Sequence, residues 1–324
     1  MNSFMKSPLP SRILWLAAAL LSAVSLAAQA APRAAHVFIV SFDGGKPAVI
    51  DQSEMPFFKA MAAEGAHTWT AQTIMPSITL PSHTSMLTGV TPLKHHILWN
   101  DWKPELGLVK VPTIFSLAKE HGVATAMFVG KVKFRHLDLP GSVDTFVFPL
   151  PVLPADAQAA EKSKVEAKPV AEAFAAALAG GLKPGLCFIH FSDTDTAGHK
   201  YGWGSPEQIA AFARCDAALK IVVDALRKSG LADSSVVILT ADHGGHNLPP
   251  EQIKANPTGP KGTHGQAIPD DLNIPWIAWG KGVKKHRALT APIGTCDTAA
   301  TALWLLGVPV PESFDGKPVT EAFE

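Results

Sequence analysis

The chain has 324 residues, 47% of them hydrophobic, with 28 Lys and Arg balanced against 28 Asp and Glu. That length supports a sizeable buried core. The balance supplies no basic excess for a nucleic-acid groove, and past the first 30 residues no apolar run is long enough to span a bilayer. Three widely spaced cysteines, Cys187, Cys215 and Cys296, exclude a disulfide scaffold and read as small buried residues, with one internal bridge left open.

Residues 1–30 combine Lys6 and Arg12 with an apolar run from Ile13 that closes on Ala28-Gln29-Ala30. This is the pattern of a secretory signal peptide cleaved after Ala30, preferred over a membrane anchor because the apolar core is short. Its removal takes away two positive charges and leaves a nearly neutral, soluble chain. The protein is therefore expected to be exported, periplasmic or secreted, with residues 31–324 forming a single catalytic domain. The Ala-, Lys- and Glu-rich stretch 153–168 reads as a surface excursion within that domain.

Apolar runs rich in β-formers predict strands over 36–42, 123–129, 186–191 and 236–240. A fifth, 274–279, is placed toward an edge because Pro275 removes a backbone donor. Between them, helical patterns cover 56–64, 113–120, 170–178, 206–229 and 296–306, the longest carrying Ile209, Phe212, Leu219, Val222 and Leu226 on one face. Alternating strands and helices imply an α/β fold, a mostly parallel central sheet with helices on both faces.

Polar residues follow the strands. Asp43 comes directly after the first, in VSFDGG; alone it is as readily a turn cap. Thr79, in MPSITLPSHTSMLTG, precedes Pro81 and a short helical pattern stopped by Gly89. That places it at a helix N-terminus, where free N–H groups and the dipole favour an alkoxide or phosphate, although a plain cap explains it as well. Asp195 and His199 lie four apart in FSDTDTAGHKYG, on an expected loop or short turn after a strand, with Asp193 as a weaker competitor. In VVILTADHGGHN an apolar strand ends in adjacent Asp242 and His243; His246 is more simply a surface histidine. His264 sits in the loop segment KGTHGQ.

In open α/β sheets ligands bind beyond the carboxyl ends of strands, so these groups converge. Three carboxylates, three imidazoles and a hydroxyl suffice for two divalent ions, and mixed N and O ligands without thiolate favour zinc over manganese or iron.

At these residues the sequence resembles the alkaline phosphatase superfamily, most closely its nucleotide pyrophosphatase/phosphodiesterase branch. The matching motifs are Asp43-Gly44, Thr79-Leu80-Pro81-Ser82-His83, the Asp195 and His199 pair, Asp242-His243-Gly244 and Thr263-His264-Gly265, in the family's order. The resemblance runs from about His36 to the closing segment LLGVPVPESFDGKPV. It implies an alkaline phosphatase-like fold in which Asp43, Asp242, His243 and the nucleophile Thr79 surround one zinc, and Asp195, His199 and His264 hold the other. It also implies that Asn100 donates to a phosphate oxygen, with the Leu80 N–H completing the set.

His96 and Trp99 replace glycines of the family pattern, which predicts a bulkier wall near Asn100. The implied substrate is a small phosphate ester, with a diester or pyrophosphate bond ahead of a monoester. The segment GKVKFRH offers Lys131, Lys133 and Arg135 for the extra charge of a monoester. No Cys or Ser stands in the Cys/Ser-Xaa-Pro-Xaa-Arg context of sulfatases, and export argues against a phosphomutase. Outside the enzymes, a metal-binding protein on a degenerate hydrolase fold is the alternative. The sequence leaves the oligomeric state open.

Overall fold

The computed structural model describes residues 31–150 and 163–324, so the expected signal peptide over 1–30 and most of the 153–168 stretch lie outside the described residues. Ten strands run in chain order as β1 (His36–Phe42), β2 (Ala66–Gln72), β3 (Thr125–Val129), β4 (Thr145–Val147), β5 (Leu186–Phe191), β6 (Ser235–Thr240), β7 (His246–Asn247), β8 (Gly262–Thr263), β9 (Asn273–Gly280) and β10 (Arg287–Ala288). The helices are α1 (Pro47–Gln52), α2 (Pro56–Glu64), α3 (Thr79–Thr88), α4 (Pro92–His95), α5 (Ile114–Glu120), α6 (Ala167–Ala179), α7 (Asp193–Tyr201), α8 (Pro206–Lys228), α9 (Pro250–Ala255), α10 (Pro269–Leu272) and α11 (Asp297–Leu305).

Eight strands form one sheet in the order β10-β2-β9-β6-β1-β5-β3-β4, mostly parallel, with β9 antiparallel to both neighbours. The period-2 alternation of side chains sorts each buried strand between two apolar layers. From β1, Val37 and Ile39 enter the layer containing Leu80, Met86, Phe115 and Leu303. Phe38, Val40 and Phe42 enter the opposite layer with Phe58, Phe174, Phe212 and Leu219. Helices therefore cover both faces.

Two sequence expectations change. The strand containing Pro275 is interior, between β2 and β6, rather than at an edge. Its missing donor is tolerated because Pro275 lies opposite the register shift of β2 between Thr68 and Ala71 and beyond the last β6 pairing, Thr240 with Trp276. Its carbonyl is still used, accepting from the Thr240 hydroxyl at 2.9 Å. The segment 193–201, expected as a loop, is the helix α7. All three cysteines are buried free thiols.

The register of the central strands sets where the polar residues beyond them emerge. Phe42 of β1 pairs with Phe191 of β5, and Ser41 with Thr240 of β6, so three parallel strands end at one level. Asp43, α7 and the Asp242-His243 pair then leave the sheet side by side.

The cover over this sheet includes a remote cap. No side chain of its own caps α2; instead Asp216 of α8, 5% exposed, accepts from the N–H groups of Phe57 at 3.1 Å and Phe58 at 2.7 Å. Asp216→Ala leaves two donors stranded and should cost about 1–3 kcal/mol in urea unfolding; a loss below about 0.5 kcal/mol would mean that water replaces the cap.

Candidate metal centre

Among the described residues, two clusters of side chains that could hold a metal ion lie at the carboxyl edge of the sheet. Asp43, Asp242 and His243 form one and Asp195, His199 and His264 the other, with the ligand atoms of each within 4.8 Å of one another. The split is the one that the family resemblance implies.

In the first cluster, His243 Nε2 lies 3.5 Å from Asp43 Oδ1 and 3.2 Å from Asp242 Oδ2. Thr79 Oγ1, at the first residue of α3, is 3.4 Å from the same nitrogen. Gly44 closes the turn with φ 69° and donates its N–H to Asp242 Oδ1 at 3.0 Å. A side chain there would be strained, and its Cβ would press on Asp195 Cα at 3.2 Å.

In the second cluster, Asp195 and His199 project from one face of α7, four residues apart, with His199 Nε2 3.2 Å from Asp195 Oδ1. His264, following β8, brings Nε2 to 3.5 Å from the same oxygen and 3.0 Å from His199 Nε2. The rings of His243 and His264 stack at 3.6 Å and join the clusters.

The donor chemistry fits bound cations. In each of the three histidines Nδ1 faces a backbone carbonyl: Gly262 O at 3.0 Å for His199, Ser77 O at 2.9 Å for His264 and Gly244 O at 2.8 Å for His243. A carbonyl only accepts, so Nδ1 carries the proton and Nε2 presents a lone pair inward. Lone pairs on two nitrogens 3.0 Å apart repel unless a cation lies between them. One oxygen of each carboxylate, Asp43 Oδ1, Asp195 Oδ1 and Asp242 Oδ2, is buried without a hydrogen-bond partner. Buried acceptors left open on every carboxylate are what a ligand set needs.

Charge in this space is strongly coupled. Burial and then Asp43 push the Asp242 carboxyl well above the usual range. Burial also acts upward on Asp195, yet Lys131 holds it well below. Burial, then His243, lowers His264 to about 3, which keeps it neutral and able to ligate.

Asn100 lies beside the first turn of α3, next to Thr79. Its Oδ1 accepts from Leu80 N–H at 2.9 Å and Lys133 Nζ at 3.1 Å. The Leu80 N–H, expected to point at substrate, instead fixes Asn100 and leaves the two Nδ2 hydrogens as donors. Burial, then Lys131, lowers the Lys133 ammonium to about 8. The three basic residues of GKVKFRH separate. Lys131 binds the carboxylates Asp43 and Asp195, Lys133 faces Asn100, and Arg135 lies 5.0 Å over the ring of Phe146.

The remaining candidates fall outside the clusters. Asp193 turns to the N-terminus of α6 and accepts from Ala167 N–H at 2.7 Å. His246 pairs with Asp271 at 2.7 Å. His96 is exposed at the C-cap of α4 with φ 57°, the left-handed conformation glycine adopts most easily, and Trp99 donates to His136 at 3.2 Å.

Sequence reasoning gives no role to three groups beside the site. His83 bridges Ser41 Oγ and the Thr79 carbonyl, each at 2.8 Å. His190 reaches Asp43 Oδ2 at 2.8 Å from β5, where alternation with Leu186 and Phe188 puts it on the α3 face. Trp203 packs edge-on to His199 at 5.5 Å, and its ring fills the space where a Cβ on Gly245 would come within 2.1 Å. Gly198, Gly245 and Gly262, whose absent side chains leave room for its ring, are the signal that could have found it.

Residues 37–258 match the family model of type I phosphodiesterase/nucleotide pyrophosphatase. The chain belongs to this family. Among curated relatives it is 23% identical to GPI ethanolamine phosphate transferase 1 of Gibberella zeae over 290 residues, which is 81% of this chain and 28% of that protein. It is 26% identical to the venom phosphodiesterase of Macrovipera lebetinus over 237 residues, 68% of this chain and 26% of that protein. This family member thus aligns with little more than a quarter of these relatives' length. Among solved structures, inactive murine ectonucleotide pyrophosphatase/phosphodiesterase 5 in complex with AMP superposes with a TM-score of 0.71 at 15% identity, covering 89% of this chain and all of that one, a likeness of fold.

Asp193 supplies a pH test separate from the clusters. Burial raises its carboxyl to about 6, so the fold favours the protonated form, and the associated stability is lost as pH rises from the ordinary carboxylate range through 6. Asp193→Asn keeps an acceptor for Ala167 without the charge. Its stability relative to the parent should rise by about 1–3 kcal/mol between pH 4 and pH 7.5. A difference in Tm that stays flat across that range would contradict the assignment.

Proposed function

We propose that this protein is an exported two-metal phosphoryl hydrolase that cleaves phosphodiester or pyrophosphate bonds through a phosphothreonine on Thr79. The observation that carries the reading is the position of the Thr79 hydroxyl. It sits at the N-terminus of α3, 3.4 Å from His243, beside clusters in which each carboxylate keeps an unpartnered oxygen.

Asp43, Asp242, His243 and Thr79 would hold one ion and Asp195, His199 and His264 the other, and the thiolate-free donor set favours zinc. Bound there, two divalent cations supply the charge that lowers the pKa of a hydroxyl and offsets charge on the attacking and leaving oxygens. Thr79 Oγ forms the bond to phosphorus as its O–H bond breaks and the bond to the leaving oxygen breaks, the proton passing to the leaving oxygen. Water then attacks the phosphothreonine, its oxygen bonds to phosphorus as the Oγ–P bond breaks, and one water proton returns to Oγ to restore Thr79. Asn100, with Oδ1 anchored by Leu80 and Lys133, directs its Nδ2 hydrogens at a phosphate oxygen. His83, bonded to the Thr79 carbonyl, orients the first turn that carries the nucleophile.

The names of the relatives agree with phosphoester chemistry: a venom phosphodiesterase, a phosphoethanolamine transferase and a pyrophosphatase/phosphodiesterase holding AMP. Export rests on the signal-peptide pattern of residues 1–30. The degenerate-scaffold alternative is disfavoured because no ligand is missing from either cluster.

Thr79→Ala should abolish turnover while both ions remain bound, measured by hydrolysis and by metal analysis of the same sample. Near-full activity would remove Thr79 from the role.

One observation favours a monoester as the second reading: Lys133 places an ammonium beside Asn100. Across aryl phosphate, aryl phosphodiester and dinucleotide substrates, the diester and dinucleotide should lead. Lys133→Ala should cut kcat/KM for the aryl phosphate by about tenfold or more, the scale of one charge-assisted contact, while changing the diester by much less. A parent enzyme that prefers aryl phosphate would move the assignment to phosphomonoesterase.

A further inference from the structure

Lys131 stands immediately after β3 and the following glycine, with its side chain 3% exposed. Its Nζ lies 2.7 Å from Asp43 Oδ2 and 2.7 Å from Asp195 Oδ2. The two aspartates belong to different clusters, so one ammonium spans both halves of the site. Each carboxylate is thereby divided. The outer oxygen is fixed on Lys131, and the inner oxygen, Oδ1, has no hydrogen-bond partner.

The backbone on either side of Lys131 is also fixed. Gly130 N–H donates to His190 O at 3.2 Å, Gly130 O accepts from Val165 N–H at 2.8 Å, and Lys131 itself forms a β-bridge with Lys164. The lysine stem thus leaves a rigid strand end and has little freedom to leave the carboxylates. Three buried carboxylates surround this space, and Lys131 is the cation in direct contact with two of them.

We propose that Lys131 is a positioning residue, a built-in cation that ties the two metal clusters together and aims Asp43 Oδ1 and Asp195 Oδ1 at separate ions. The proposal rests on the two-ion reading above. It assigns Lys131 to the protein side of the site and not to a phosphate oxygen. Two of its three N–H donors are already used, and the ammonium is shielded by the carboxylates it holds.

The alternative has the opposite sign. If Lys131 were only a nearby positive charge, its removal would relieve repulsion and tighten metal binding. If it positions the ligands, its removal weakens both sites together, because partners that orient ligating groups typically contribute about 10- to 100-fold in affinity.

The test is zinc binding by chelator competition. Lys131→Met keeps the stem and removes the ammonium, and both dissociation constants should rise by about 10- to 100-fold. In Lys131→Ala, added methylammonium should recover part of that affinity, while sodium chloride at the same ionic strength should not. Unchanged or tighter zinc binding by folded Lys131→Met overturns the proposal, as does failure of the amine to rescue folded Lys131→Ala.

Should neither variant fold, a crystal structure of the zinc-loaded parent decides. Nζ within hydrogen-bond distance of both Oδ2 atoms supports the clamp, and Nζ turned away from either one overturns it. Fewer than two zinc ions on the parent would sink the two-ion reading and the clamp with it. Two ions with an indifferent Lys131 would sink the clamp alone.

Discussion

Repulsion among Asp43, Asp195 and Asp242 is the constraint around which this end of the molecule is arranged. The three carboxylates are 0–2% exposed and are delivered to one level by β1, β5 and β6. An unpaired buried charge costs several kcal/mol, so three together can persist only where cations and hydrogen-bond donors meet them. Lys131 meets two, His190 reinforces Asp43, and the Gly44 N–H takes one oxygen of Asp242. These partners leave one open oxygen on each carboxylate, which is the negative potential that a pair of divalent ions would use.

The surrounding fold holds those open atoms in place. Backbone carbonyls hold Nδ1 of His199, His243 and His264, so Nε2 faces inward at each. Trp203 supports His199 from the side, and the glycines facing its ring allow the approach. The apolar layers on both faces of the sheet supply the rigidity, and the polar groups sit where those layers end.

Much of this is legible in the sequence because it is local. The strands at 36–42 and 186–191 stand out as apolar runs, and the residues just past them carry the chemistry. Thr79 at a helix N-terminus follows from Pro81 and Gly89, and α3 begins at Thr79. Where the sequence misleads, a long-range contact decides. The 193–201 segment is too polar and too glycine-containing to signal a helix, yet it forms one, with Asp193 bonded to the α6 N-terminus. A missing donor is costly in a ladder, which points the Pro275 strand toward an edge, and the shift in β2 that accommodates it leaves no mark within 274–279. His190 lies on a segment whose strand character is evident and Lys131 two residues past another, but their partner Asp43 is far away in sequence.

The same charge arithmetic bears on substrate. Lys131 pairs with the carboxylates of Asp43 and Asp195, which leaves Lys133 as the ammonium at Asn100. A diester presents one negative charge and a monoester nearly two. The ordinary advantage of a dianion at a cationic site is therefore limited here to one partly desolvated ammonium, lowered to about 8 by burial and by Lys131. As pH rises through that value Lys133 loses its charge, and the margin in favour of a dianion shrinks with it.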